Sequence, residues 1–103
     1  MTDENKVEFV DDREREYFAR ARLGIDVETF LNSSTGRFLH GRARMEIEEC
    51  KNDMLDCNPN SWLGRRKLTK LQQRAATARL FMAWCAEAII DGRLAHKELE
   101  NNY

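Results

Sequence analysis

At 103 residues with 42% apolar composition, the chain has room for one domain with a modest core and is too apolar for a disordered tail. Five glycines, a single proline (Pro59) and few β-branched residues argue against a sheet and for helix. A net charge of −1 argues against a uniformly basic nucleic-acid binder, but the charge is uneven. Seven acids stand between residues 3 and 16 (Asp3, Glu4, Glu8, Asp11, Asp12, Glu14, Glu16). None stands between Asp56 and Glu87, where Arg65, Arg66, Lys67, Lys70, Arg74 and Arg79 follow one another.

Residues 1–10 read as a flexible acidic lead-in, with Val7, Phe9 and Val10 able to pack as an extended segment. The stretch from Met1 to Arg15 is acidic, not basic and then apolar, so no signal peptide is expected. A first helix is expected from Asp11 or Asp12, with Glu14 and Glu16 beside the positive end of its dipole. Its apolar members are Tyr17, Phe18, Ala21 and Leu23, and Gly24 is placed to end it. A second short helix is expected from Asp26 to about Leu31. Ile25 and Phe30 have the spacing of a hydrophobic staple around an Asp26 cap. Asn32, Ser33 and Ser34 then form a turn or cap.

Residues 36–57 carry apolar positions at steps of three and four: Leu39, Ala43, Ile47, Cys50, Met54 and Cys57. Arg42, Glu46, Glu49, Lys51 and Asp53 occupy the opposite face. Asn58-Pro59-Asn60-Ser61 breaks the chain and supplies a cap for the next helix. Residues 61–91 repeat the pattern without a miss: Leu68, Leu71, Ala75, Ala78, Met82, Cys85 and Ile89. Gly92 is placed to end this helix, with Arg93–Glu100 a short amphipathic tail. Two such arms joined by about four residues fold back on each other. The acids Glu46, Glu48, Glu49, Asp53 and Asp56 then lie beside the basic run from Arg65 to Arg74. The expected fold is all-α, one helical domain over residues 11–103. It is an antiparallel helical hairpin with a long C-terminal helix, packed by one or two short N-terminal helices.

From Leu80 to Ile90 the long helix is apolar nearly all round, which predicts burial on every face. Either the N-terminal helices cover the second side, or the surplus is an oligomer or partner interface. The longest apolar run, Leu80–Ala86, is far short of the ~20 residues that span a bilayer.

No constellation points to catalysis. His40, Cys50, Cys57, Cys85 and His96 lack metal-ligand spacing, since Cys50 and Cys57 lie two helical turns apart, about 10 Å. The odd number of cysteines, two of them on helix seams, predicts reduced thiols in a cytosolic compartment. The acids of residues 46–56 read as a solvated face. The glycines are isolated, so there is no phosphate loop, and no cofactor is expected. Trp62, Phe81, Trp84 and Ile90 are the partner-contact candidates, because aromatic anchors dominate interfaces. Arg65, Arg66, Lys67, Lys70 and Arg74, beside Trp62 near a helix N-terminus, are the candidates for nucleic-acid contact.

Two stretches carry a resemblance. Phe30-Leu31-Asn32-Ser33-Ser34-Thr35-Gly36-Arg37-Phe38-Leu39-His40-Gly41-Arg42-Ala43 is one, and Leu80-Phe81-Met82-Ala83-Trp84-Cys85-Ala86-Glu87-Ala88-Ile89-Ile90-Asp91-Gly92 is the other. Over roughly residues 15–95 the chain resembles small tailed-bacteriophage proteins with no assigned activity. The resemblance implies a phage protein made in the cytoplasm of a bacterial host. The expected function is therefore non-enzymatic. It is stoichiometric binding of a host or virion protein, or of a second copy, as a host-factor or host-defence inhibitor or a virion assembly component. A small nucleic-acid-binding module is the alternative.

Overall fold

The computed structural model describes residues 9–103, so residues 1–8 of the acidic lead-in lie outside the description. The described residues form three helices and no strand: α1 (Asp12–Asn32), α2 (Ser34–Leu55) and α3 (Trp62–Asn102). The fold is all-α. The long C-terminal helix packs against the two N-terminal helices, as the residue periodicity predicts.

α1 starts at Asp11, whose carboxylate accepts the Glu14 N–H at 2.8 Å. The Glu14 carboxylate in turn accepts the Val10 N–H at 2.6 Å. This reciprocal pairing is close to a capping box, with Asp12 and Glu14 acidic in the first turn. The predicted end at Gly24 and restart at Asp26 do not occur, and α1 continues to Asn32. Ile25 and Phe30 are exposed and form no staple. Leu23, expected to pack, is also exposed.

α2 and α3 begin with the same device. Ser33 Oγ accepts the Gly36 N–H at 3.0 Å, and Ser61 Oγ accepts the Gly64 N–H at 2.9 Å. In both cases glycine sits at N3 because the preceding chain folds over the first turn. A Cβ on Gly36 would stand 1.7 Å from the Phe30 carbonyl oxygen, and one on Gly64 would stand 1.9 Å from that of Asn58. The recurring Ser-x-x-Gly thus marks a tight entry into a helix. α3 then runs 41 residues, roughly 60 Å at 1.5 Å per residue, straight through Gly92. The predicted break there and the separate tail are absent.

The chain divides into two compact units: Thr29–Ala86, and Met1–Glu28 with Glu87–Tyr103. In the first, α2 lies against the opening part of α3. Cys50, Leu71 and Ala75 are buried, with Met54 and Cys57 packed on them. Ala43, Ile47, Leu68, Ala78, Met82 and Cys85, all seam positions, are half-buried. Glu46 and Arg74 pair across the two helices.

In the second unit α1 meets the closing part of α3 through its smallest residues. Ala21, Gly24, Gly92 and Ala95 are buried. A Cβ on Gly24 would stand 2.9 Å from the Gly92 Cα, and one on Gly92 would stand 2.8 Å from the Gly24 Cα. Neither glycine has positive φ. Both glycines that were expected to stop helices are instead the point where two helices touch backbone to backbone. Charge pairs flank the contact. Arg20 donates to both carboxylate oxygens of Asp91, at 2.9 and 2.6 Å, and Arg93 reaches Glu28 at 3.4 Å. The Arg20 guanidinium also lies 5.3 Å from the Tyr17 ring. The Tyr103 hydroxyl donates to Asp11 at 3.2 Å, and Phe9 packs on Phe18 at 5.3 Å between ring centres.

Candidate protein-binding surface

The predicted burial of Leu80–Ile90 on every face is not realised. Leu80 and Trp84 are exposed, Trp84 by 62%, as is Ile90 in the other unit. Phe81, Met82, Cys85 and Ile89 are half-buried. The cause is partner supply: each part of α3 is faced mainly by one other long helix, and one neighbour covers only one stripe. Fully buried apolar side chains number five among the described residues (Ala21, Cys50, Leu71, Ala75, Ala95), and three of those are alanine. The large hydrophobic residues are mostly outside.

In the Thr29–Ala86 unit two places stand out, while Phe38 and Met45 are exposed elsewhere on α2. At the loop, Leu55 is 83%, Leu63 71% and Trp62 63% exposed. The Ser61 cap and the Gly64 crossing hold Trp62 and Leu63 in the first turn of α3, where no seam position calls them inward. The Arg66 guanidinium lies 5.5 Å from the centre of the Trp62 ring, one turn on, and stacks it in place. The result is an apolar tip with a basic collar.

At the other end of the same unit a groove of about 420 Å³ runs between α2 and α3. Leu39, Ala43, Ala78 and Phe81 form its apolar surface, and Arg42, Glu46, Arg74 and Thr77 its rim. It is left open where Ala43 and Ala78 line it, since longer side chains there would fill the gap. Of the four aromatic or aliphatic candidates, Trp62 thus belongs to the tip and Phe81 to the groove. Trp84 stands exposed one turn beyond Phe81. Ile90 stands in the other unit.

The basic candidates do not make one patch. Lys67, Lys70 and Arg74 share a helix face by their three- and four-residue spacing, whereas Arg65 points nearly opposite Lys67. Arg74 is committed to Glu46, whose hydrogen bond raises the Arg74 pKa above its ordinary value. Arg65, Lys67 and Lys70 form no ion pair among the described residues. A second basic cluster escaped the sequence reading. Arg37, His40 and Arg44 line a hollow with Leu31 and Gly41. The signal was present in the absence of any acid between Glu28 and Glu46.

His40, considered as a metal ligand, thus stands among cations. Cys50 is core, Cys57 packs beside it, and Cys85 lies on the seam. Among the described residues no three His, Cys, Asp or Glu side chains converge. No helix among them is long and apolar enough to cross a membrane. No protein-family model matches the chain, and no curated protein and no solved structure is similar to it.

Proposed function

We propose that this chain is a non-enzymatic helical protein of tailed-phage type, acting in the cytoplasm of a bacterial host by stoichiometric binding to another protein. Its target is a host factor or defence protein that it inhibits, or a virion component that it helps to assemble. The observation that carries this reading is the exposed tip. Three large hydrophobic side chains flank a turn in which the Ser61 hydroxyl accepts the Gly64 N–H and donates to the Asn58 carbonyl, and in which Arg66 stacks on Trp62. Pre-organised aromatic and aliphatic side chains lose little entropy on docking, which is what an interface anchor needs. Trp62 is the principal contact, and Phe81, Trp84 and Ile90 are further candidates. The phage assignment rests on the resemblance in the Phe30–Ala43 and Leu80–Gly92 stretches.

The test is co-elution with purified phage and host proteins in gel filtration, comparing the natural chain with Trp62→Ala/Leu63→Ala. The natural chain should form a complex of fixed stoichiometry, and the double variant should lose it while remaining helical. Complexes unaffected by the double substitution would remove the tip from the proposal.

A second reading has its own support: the Thr29–Ala86 unit carries ten Lys and Arg against five Asp and Glu, a net +5. As a nucleic-acid-binding module it would use Arg65, Arg66, Lys67 and Lys70, with Arg74 freed from Glu46. Affinity for duplex DNA would then fall steeply with salt and drop on charge reversal at Arg66 and Lys70.

A further inference from the structure

The groove between α2 and α3 has an apolar lining and no cover within its unit, and the net charge of the unit that carries it points to an occupant. We propose that a second copy of this chain covers it, the acidic unit of each copy lying against the basic unit of the other. The Thr29–Ala86 unit carries net +5, ten basic residues against five acids. The described residues of the other unit hold six basic residues against ten acids, net −4. A chain that is nearly neutral has sorted its charge into two compact bodies of opposite sign. An acidic foreign partner would match one of them and a basic one the other. A second copy matches both at once, and a two-fold arrangement makes the two contacts equivalent and closes the assembly.

Both bodies also expose apolar surface. Leu80 and Trp84 stand exposed in the basic unit, and Leu23, Ile25, Ile90 and Leu94 in the acidic one. This goes beyond the proposed function: it assigns Phe81, Trp84 and Ile90 to self-contact and leaves the Trp62 tip to the target protein.

The experiment is sedimentation equilibrium on the full chain over a concentration series, at low and at raised salt. Two charge-reversed variants accompany it, Arg42→Glu/Arg79→Glu in the basic unit and Glu16→Lys/Glu87→Lys in the acidic unit. All four side chains are exposed, and far-UV circular dichroism checks that both variants stay helical. The natural chain should sediment at twice the chain mass. Its dissociation constant should rise at least about tenfold in either variant and also with salt. Mixing the two variants should restore the dimer, because at each contact of the mixed pair the side chains at the substituted positions are again opposite in charge. Trp84→Ala should weaken the dimer without unfolding the exposed site. A natural chain that stays monomeric would overturn the proposal. So would variants that self-associate as tightly as the natural chain, a mixture that stays monomeric, or open-ended growth with concentration. A monomer that still binds its target through the Trp62 tip would overturn this inference and leave the proposed function standing.

Discussion

The two units bring helices together along the same long helix by opposite means. In the basic unit the contact is made by side chains: Leu71, Cys50 and Ala75 are buried together, and the small Ala43 and Ala78 leave a groove beside them. In the acidic unit it is made by the absence of side chains. Gly24 and Gly92 let two backbones touch, and ion pairs on either side take the place of an apolar core. Side-chain packing tolerates trimming in proportion to the volume removed. A backbone-to-backbone contact tolerates no addition at all. The two halves of α3 should therefore fail under opposite substitutions, one when it is made smaller and the other when it is made larger.

The largest effect is expected from Leu71→Ala. Truncating this buried residue should cost about 2–5 kcal/mol, read as a fall in the urea midpoint. Hydrogen exchange should report lost protection first in residues 34–55 and 62–86. Equal loss across residues 12–28 and 87–102 would mean that the units do not respond separately. Gly92→Ala is the converse. Alanine favours helix by about 1 kcal/mol over glycine, but the new Cβ meets the Gly24 backbone, and overpacking of this kind costs about 1–3 kcal/mol. The net effect should be destabilising and confined to the acidic unit. A stabilised Gly92→Ala protein would show that the helices can part freely there. Gly41→Ala is the control, since a Cβ there meets nothing within 4 Å and should stabilise.

Next come the caps. Ser33→Ala and Ser61→Ala each leave a helix N-terminus short of an acceptor and should cost about 1 kcal/mol. Ser61→Ala should in addition loosen the Trp62 tip, seen as a red shift and lower anisotropy of tryptophan emission in a Trp84→Phe background. An unchanged spectrum would assign the order of the tip to Arg66 alone.

The smallest effect concerns Asp91. The hydrogen bond from Arg20 lowers its pKa below the ordinary 3.8. A carboxylate held low in the folded state adds stability above its unfolded pKa, and that stability is lost as pH falls through the folded value. The natural chain should therefore lose a little stability on acidification below about pH 4, and Asp91→Asn should flatten that part of the profile. The effect is small because both partners are half-exposed. An unchanged profile in the variant would place the acid response elsewhere.

Much of the fold was legible because periodicity and helix starts are local. The three-and-four spacing of the Leu68–Ile89 seam named the buried and half-buried positions of α3, and the Cys50 and Ala43 positions of α2 followed in the same way. The Asp11–Asp12, Ser33–Ser34 and Asn60–Ser61 pairs announced helix starts, and Asp11, Ser33 and Ser61 are the members whose side chains answer nearby N–H groups. The glycines misled, because a glycine that ends a helix and a glycine that lets another helix approach look alike along the chain. The presence of Gly92 across from Gly24 distinguishes them, and that is a fact of tertiary structure. The candidate site divides in the same way. Trp62 was visible as an aromatic beside a break, and its exposure with Leu55 and Leu63 came from how the Ser61–Gly64 turn folds. By itself, then, the sequence determined that this protein is helical, where its seams run and how its charge is distributed, since each depends on residues within a few positions of one another. Tertiary structure alone decided which glycines join helices, which large side chains stay outside, and that the charge falls into two compact units of opposite sign. Those depend on which distant segments share one contact.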